Sequence, residues 1–512
     1  MRKIDLKDIP GIEKLGEIGK VFDPDKVEKN TRTLAERELY HNKIVDSLEE
    51  AVRLCGLKDG MTISFHHHFR DGDYIVNMVV GKLAEMGFKN LVLAASSLSG
   101  CHAPLIEHIQ NGVIARIETS GLRGKLAQAI SSGLMDIPVI FRSHGGRAGA
   151  IDKGELPIDV AFLGAPSSDP YGNVNGYIRE IEEGIMCGSM GYARGDATHA
   201  KKVIAITNQI VRYPNAPFAI PESSIDYIVK VDKIGDPAGI MTGATRFTTN
   251  PKELLIADLA AKTIFASGRF KDGFSFQTGT GGASLAVTRF LRTAMEKEGI
   301  KAGFALGGIT GAIVELHEAG LIRRLLDVQG FDMRAARSLR DNRFHQQISA
   351  SYYASPYSEG TAVNQLDIVV LSALEVDCDF NVNVLTGSDG VIRGAIGGHP
   401  DTSFGASVSI IVLPLTRGRI PCVVKEVNTI ITPGKTVDVV VTDHGIAVNP
   451  ARTTLKQRLI ENGLPVLTIE QLQEKAEKLV SVPEPIKYTD KVVGVVTYRD
   501  GSVIDLIYQV AD

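Results

Sequence analysis

Two stretches of this 512-residue chain repeat one another, and that repeat constrains the fold more than any other feature. The segment IDVAFLGAPSSDPYGNVN at 158–175 lies over LDIVVLSALEVDCDFNVN at 366–383 without a gap. Asp159 coincides with Asp367, Leu163 with Leu371, Ala165 with Ala373 and Asp169 with Asp377, and the run Asn173-Val174-Asn175 matches Asn381-Val382-Asn383. Upstream, Lys58-Asp59-Gly60 and Lys271-Asp272-Gly273 each open a strand, a glycine-punctuated loop and a helix, closing at Gly87 and Gly299. The two offsets, 208 and 213 residues, predict two related halves. Two like halves favour a ligand cleft between them.

Each half reads as α/β. Short apolar runs alternate with helical stretches at Thr62–Phe65, Leu91–Ala95, Val139–Phe141, Val160–Leu163 and Val203–Ile206, then at Phe274–Gln277, Gly303–Leu306, Ile368–Leu371, Ile410–Leu413 and Val437–Val441. Near-continuous apolar strands separated by helices are those of parallel sheets buried on both faces. The end differs: Val492–Tyr498 and Ser502–Val510 flank Arg499-Asp500-Gly501, which reads as a β-hairpin. The predicted organisation is an arm and helix over 1–56, a first lobe over 57–235 and a second over 250–512. The join falls near Pro214–Asn250, where Pro214, Pro217, Pro221 and Pro237 cluster. Thr33 and Glu36 have capping-box spacing, with Ile44, Leu48 and Val52 on one face and Gly56 as the stop.

Composition narrows the function. With 44% apolar and 23% charged residues the chain can build real cores, which excludes general disorder. Lys+Arg number 56 against 60 Asp+Glu, so no basic excess is available for a nucleic-acid backbone. No tryptophan and only 6% aromatics argue against a stacking surface. Five scattered cysteines without a CxxC pair suit a reducing compartment. The first residues, Met1 to Asp8, lack the apolar core of a signal peptide, and no apolar run approaches the roughly 20 residues of a membrane span. A cytoplasmic chain, away from nucleic acid and membrane, is expected.

Three glycine-rich loops stand out. Gln277-Thr278-Gly279-Thr280-Gly281-Gly282 lies between a strand and a helix, where backbone N–H groups can hold phosphate or a developing oxyanion. A tight turn with no ligand fits that loop equally well, and neither GxGxxG nor GxxxxGK[ST] is met. The second is Arg393-Gly394-Ala395-Ile396-Gly397-Gly398-His399-Pro400-Asp401 and the third His144-Gly145-Gly146-Arg147-Ala148-Gly149. Arg147 and Arg393 could bind carboxylates bidentately, though either could be an ordinary surface charge. His66-His67-His68 invites a metal, but consecutive strand residues face opposite ways and no HExxH occurs, so no metal is expected. Contact between Arg70 or one imidazole and an anionic substrate is the better reading. Cys101-His102 reads as chance adjacency rather than a dyad, and GxSxG is absent.

The ordered motifs DGFSFQTGTGG (272–282), LEVDCDFNVN (374–383), IGGHPD (396–401) and VTDHG (441–445) resemble those of acyl-CoA transferases that act on acetate and 4-hydroxybutyrate. Over nearly its whole length, including SFHHHFRDGD and APSSDPYGNVNG, the chain resembles the α-subunit family of citrate lyase, the citrate CoA-transferase component. The resemblance implies lobes of the CoA-transferase type and exchange of acetyl for citryl on an acyl-carrier-protein thioester. It implies partners as well: a β (acyl lyase) subunit, a γ (acyl-carrier protein) subunit with a CoA-like thioester arm, and citrate, in an oligomeric complex. No cofactor bound covalently to this chain is implied. By the same resemblance Gln277, Thr278, Gly279, Thr280, Gly281, Gly394 and Gly398 contact the arm. Gly281, Gly397 and Gly398 become candidate oxyanion donors, each worth about 3 kcal/mol. Substrate contacts are assigned to Arg70, Arg147, Gly307, Gly308 and Arg393.

One departure from the family pattern is informative. The covalent CoA-transferases carry a glutamate nucleophile where this chain reads Leu306-Gly307-Gly308-Ile309-Thr310-Gly311. Glu315 follows in the wrong register, and Glu375 stands where the duplicate segment has Ser167, as a turn position would allow. The reading is therefore substrate-driven transfer without an enzyme nucleophile, the vacated volume admitting a substrate carboxylate. The alternatives are a citramalate lyase α subunit, a covalent acetyl-CoA hydrolase or CoA-transferase, and a carrier-binding scaffold without catalysis.

Overall fold

A computed structural model describes residues 42–179, 184–241, 248–279 and 281–511, together with Asp5, Lys7 and Pro10. Its frame is two large sheets. The first orders its strands as Ile44–Val45, Tyr227–Lys230, Lys202–Thr207, Val160–Ala165, Thr62–Phe65, Leu91–Ala95, Ile114–Thr119, Val139–Phe141, Tyr488–Thr497 and Val503–Val510. All neighbours are parallel except the last pair. The second orders His345–Gln347, Leu325–Gly330, Phe304–Ile309, Ser275–Thr278, Ile368–Ser372, Val408–Val412, Val439–Thr442, Gly445–Val448 and Val466–Leu467. Only Gly445–Val448 against Val439–Thr442 is antiparallel there. The fold is thus α/β with two mostly parallel mixed sheets and a C-terminal antiparallel pair.

The apolar runs account for the central strands. Every residue of Val160–Ala165, Thr62–Phe65 and Val408–Val412 is buried, as a strand with helices on both faces requires. Each sheet has its own apolar core, one including Phe65, Phe141 and Phe162, the other Phe274, Phe276 and Leu291.

The repeat is visible bond by bond. Asp159 accepts from Thr62 N–H at 2.8 Å, and Asp367 accepts from Ser275 N–H at 3.0 Å. Asp59 and Asp272 accept from Lys89 and Lys301 N–H at 2.9 and 3.0 Å. In the shared turn Asp169 accepts from the N–H and side-chain amide of Asn173, and Asp377 does the same with Asn381. Within that turn Gly172 and Phe380, at matching positions, both have positive φ, 102° and 65°.

Three local differences from the sequence reading have simple causes. The first described helix spans Leu48–Cys55; Ser47 caps it by accepting from Glu50 N–H, and Gly56 closes it at φ 66°. Ile44 belongs to an edge strand, while Thr33 and Glu36 lie outside the described residues. The hairpin, sequence-adjacent to the second lobe, extends the first sheet: Gly494–Val496 pairs in parallel with Val139–Phe141.

Candidate functional site

Open parallel sheets offer ligands the carboxyl ends of their strands, where loops leave free N–H groups. Here both sheets contribute those ends to one cavity of about 240 Å³. The first sheet brings His67 and Arg70 after Thr62–Phe65, Ser97 and Ser99 after Leu91–Ala95, Ser120 and Arg123 after Ile114–Thr119, and His144 after Val139–Phe141. The second brings Gln277, Thr278, Gly279 and Gly281, then Gly308, Gln329 with Phe331, and Ser372.

The remaining wall is a strap from the second half bound to the first. Ile396 N–H donates to Ser120 O at 2.7 Å, Leu122 N–H to Gly394 O at 3.0 Å, and His144 N–H to Gly397 O at 2.9 Å. Ile392 and Ile396 bury themselves in the first lobe's core. Asp401, just beyond, accepts from Ser143 Oγ, Gly145 N–H and Arg499 Nε at 2.9, 2.9 and 3.3 Å. It thereby ties the strap to the start of the helix His144–Asp152 and to the hairpin turn.

The cavity's electrostatics are one-sided. Arg70 and Arg123 line it, and no acidic side chain does among the described lining residues. Burial, then repulsion from Arg123, brings Arg70 down to about 10; burial lowers Arg123 as well. Arg70 stacks on Phe331 at 4.9 Å and adopts φ 53°, a conformation unusual for a side-chain-bearing residue and typical of sites where position matters more than strain. The imidazoles add no charge. Burial holds His67 well below its ordinary value, His144 at about 3 and His399 at about 4. His67 Nδ1 is fixed by Ser96 Oγ at 2.6 Å, and its ring clusters with those of His144 and Tyr192 at 5.6 and 5.2 Å.

Of the residues singled out by sequence, Arg70, Gln277, Thr278, Gly279, Gly281, Gly308, Gly397 and Gly398 line this cavity. Thr280 lies outside the described residues. Arg147 is corrected: its buried guanidinium is paired with Asp196 at 2.7 and 2.8 Å and donates to Ala94 O, and it does not line the cavity. Arg393 is exposed, paired with Asp389 and outside the cavity. Gly394 is a packing glycine, since a Cβ there would stand 2.0 Å from Val384 O. The space beside Gly307 and Gly308 is filled. A Cβ on Gly308 would fall 1.5 Å from the Phe331 ring, and one on Gly307, at φ 98°, 2.6 Å from the Gln277 side chain. The expected vacancy for a carboxylate therefore does not exist; Phe331 takes it and carries Arg70 on its face.

Other candidates resolve as structure. His66 and His68, in the loop after Thr62–Phe65, meet ring to ring at 4.1 Å with their planes tilted by 47°, and neither lines the cavity. No group of three or more His, Cys, Asp or Glu placed to hold a metal occurs among the described residues. His102 accepts from Ser99 N–H through Nδ1 and meets Asp73 through Nε2, and it does not line the cavity. Sequence reasoning missed Arg123, Tyr192, Gln329, Phe331 and Tyr353. None sits in a motif; only the meeting of the two sheets brings them together.

Two mostly parallel sheets sharing one cavity between their strand ends define a known class of fold. The alpha subunit of an Acinetobacter baumannii malonate decarboxylase shares it, with TM-score 0.62 and 16% identity over 88% of this chain and 95% of that one. Closer likeness gives the family. The model of "Citrate lyase, alpha subunit (CitF)" matches residues 41–510. The citrate lyase alpha chain of Klebsiella pneumoniae is 60% identical over 93% of both chains. A Streptococcus mutans structure, described as an alpha subunit of citrate lyase in complex with citrate, superposes with TM-score 0.89 and 58% identity over 92% of both chains. The chain belongs to the citrate lyase alpha-subunit family. Among the described residues no helix is long and apolar enough to cross a membrane.

Proposed function

We propose that this chain exchanges acetyl for citryl on a thioester borne by a separate acyl-carrier protein. One observation carries the reading: two guanidiniums and two glycine loops surround a cavity without an acidic side chain among its described lining residues. Fixed cations suit a polycarboxylate, and backbone N–H groups suit a tetrahedral oxyanion. The citrate complex of the Streptococcus mutans relative supports the choice of substrate.

The reaction has two steps. A citrate carboxylate oxygen attacks the acetyl carbonyl carbon, the C–S bond breaks, and the carrier's thiolate leaves. That thiolate attacks the citryl carbonyl of the mixed anhydride, the bond from that carbon to the bridging oxygen breaks, and acetate departs. No proton is gained or lost, so no general base is required. Arg70 and Arg123 would hold citrate, while the loops at Gly281 and at Gly397-Gly398 would hold each oxyanion. Glycine at 307 and 308 offers no nucleophile, which supports direct attack by substrate. The CoA-like arm of the carrier would run along Gln277–Gly281, with nothing attached covalently to this chain. A lyase subunit would then cleave the citryl thioester to oxaloacetate, within a cytoplasmic assembly.

The test is a single turnover with acetyl carrier protein and carboxylate-¹⁸O citrate. Citryl carrier and acetate bearing one ¹⁸O are expected. Unlabelled acetate would mean that an enzyme carboxylate supplied the oxygen, overturning direct attack. No exchange with citrate would sink the transferase reading, and exchange with citramalate alone would change the substrate.

A further inference from the structure

Three histidines, His67, His144 and His399, line the cavity, and the transfer described above assigns none of them a task. His144 is placed differently from the rest. It begins the helix His144–Asp152, and its N–H holds the strap through Gly397 O at 2.9 Å. Its ring lines the cavity and touches Tyr192 at 4.5 Å. Nε2 points at the glycine loop: a Cβ built on Gly397 would lie 3.7 Å from it. Nδ1 is buried and has no hydrogen-bond partner among the described residues.

That asymmetry selects a tautomer. A buried N–H without an acceptor is rarer and costlier than a buried lone pair without a donor. With the proton on Nδ1 the ring would bury an orphan donor and aim a lone pair at an oxyanion. With the proton on Nε2 it buries only a lone pair and aims a donor at the same place. We infer that His144 is a catalytic hydrogen-bond donor, its Nε2–H joining the backbone of Gly397 and Gly398 in stabilising the tetrahedral oxyanion.

The inference rests on the proposed transfer and adds a side-chain donor from the opposite lobe. Burial, aided by the nearby Arg147, keeps the imidazole neutral, with its pKa brought down to about 3. A neutral donor suits a reaction that passes no proton. It polarises the carbonyl without protonating the departing acetate or the thiolate.

Two amide substitutions separate the nitrogens. Glutamine reaches the Nε2 position, and asparagine only that of Nδ1. With the full chain, acetyl carrier protein and citrate, His144→Asn should lose about a hundredfold in kcat with citrate KM within twofold. His144→Gln should lose no more than about tenfold. Equal kcat in the two variants, or a loss carried by KM, would overturn the donor role. If His144→Asn does not fold, a loss beyond about tenfold in His144→Gln would overturn it, and a smaller one would uphold it. Native protein that fails to exchange acetyl refutes the transferase reading instead, so the two failures are distinct.

Discussion

The two halves of the molecule share a plan down to single hydrogen bonds, yet they place opposite chemistry at the same point. After the first strand of the first half the chain reads His66-His67-His68-Phe69-Arg70, a loop of side chains. After the matching strand of the second half come Gly279 and Gly281, where the backbone itself is presented. The shared Asp–Asn turns show that the central architecture was retained, so apart from the sheet edges the divergence lies in loops at the strand ends. Charge recognition needs long side chains. Oxyanion stabilisation needs N–H groups that no Cβ shields. The arginines of the first lobe fit recognition and the glycine loops of the second fit chemistry, with His144 as the one first-lobe group that we place on the side of chemistry.

That division makes its strongest prediction in the second half. Gly398→Val would put a Cβ 2.5 Å from the Tyr353 hydroxyl and displace the strap. Gly398 has an ordinary φ of −93°, so the chain can still fold. Steady-state assays should show kcat down by roughly a hundredfold to a thousandfold, with citrate KM changed little. Retained turnover would remove the strap from the chemistry.

The next effect belongs to the first half. Arg123→Gln removes a cation that has no hydrogen-bond partner among the described residues. A charge-assisted bond contributes about 1.5–3 kcal/mol, so citrate KM should rise roughly 10- to 100-fold. In steady-state kinetics kcat should fall much less. A kcat loss at unchanged KM would erase the contrast between the lobes.

How much of this could be read beforehand follows from what each signal depends on. Leu91–Ala95 was legible to the residue because burial demands an unbroken apolar run, and Thr62–Phe65 because its small polar Thr62 and Ser64 are buried between Ile63 and Phe65. Ile114–Thr119 was not: Arg116 and Glu118 interrupt its pattern, and Glu118 is buried only because Arg116 and Arg142 pair with it. Leu325–Gly330 hid likewise behind Asp327, buried against His345 at 3.0 Å. The loops that hold Gly279 and Gly281 and Gly394 to Gly398 were legible as loops, but His144 to Gly149, read as a third loop, is the start of the helix His144–Asp152, capped by Ser143 Oγ accepting from Gly146 N–H. That the strap crosses to the first lobe was not, since Gly394 and Ile396 find their partners in Leu122 and Ser120, far away in sequence. Arg123 has no motif around it; sheet order alone delivers it to the cavity.

The smallest expected effect concerns Glu375, the carboxylate that the motif makes tempting as a nucleophile. It lies outside the cavity, with Asn383 Nδ2 donating to it at 3.0 Å and Asn428 Nδ2 at 3.3 Å. Its duplicate in the first half is Ser167, which bonds to Asn215 in an equally structural setting. If the two halves use this shared position for architecture alone, Glu375→Gln should keep transfer activity within about threefold. The pH dependence sharpens the point. Burial raises the Glu375 pKa above the ordinary carboxylate value, although the bonds from Asn383 and Asn428 pull the other way. Between the unfolded and the raised folded value, the folded chain binds more protons than the unfolded one. Native stability is therefore lost as pH rises through that window. Glutamine does not titrate. Any fixed gain or loss from exchanging the hydrogen bonds is the same at every pH, but the carboxylate's penalty grows above its ordinary range. Thermal melts of both proteins at pH 4 and pH 7 should show the variant's melting temperature rising relative to the native one at the higher pH. A relative fall would mean that the carboxylate is stabilised by charge in the folded state, as a group held for chemistry would be, and Glu375 would return as a catalytic candidate.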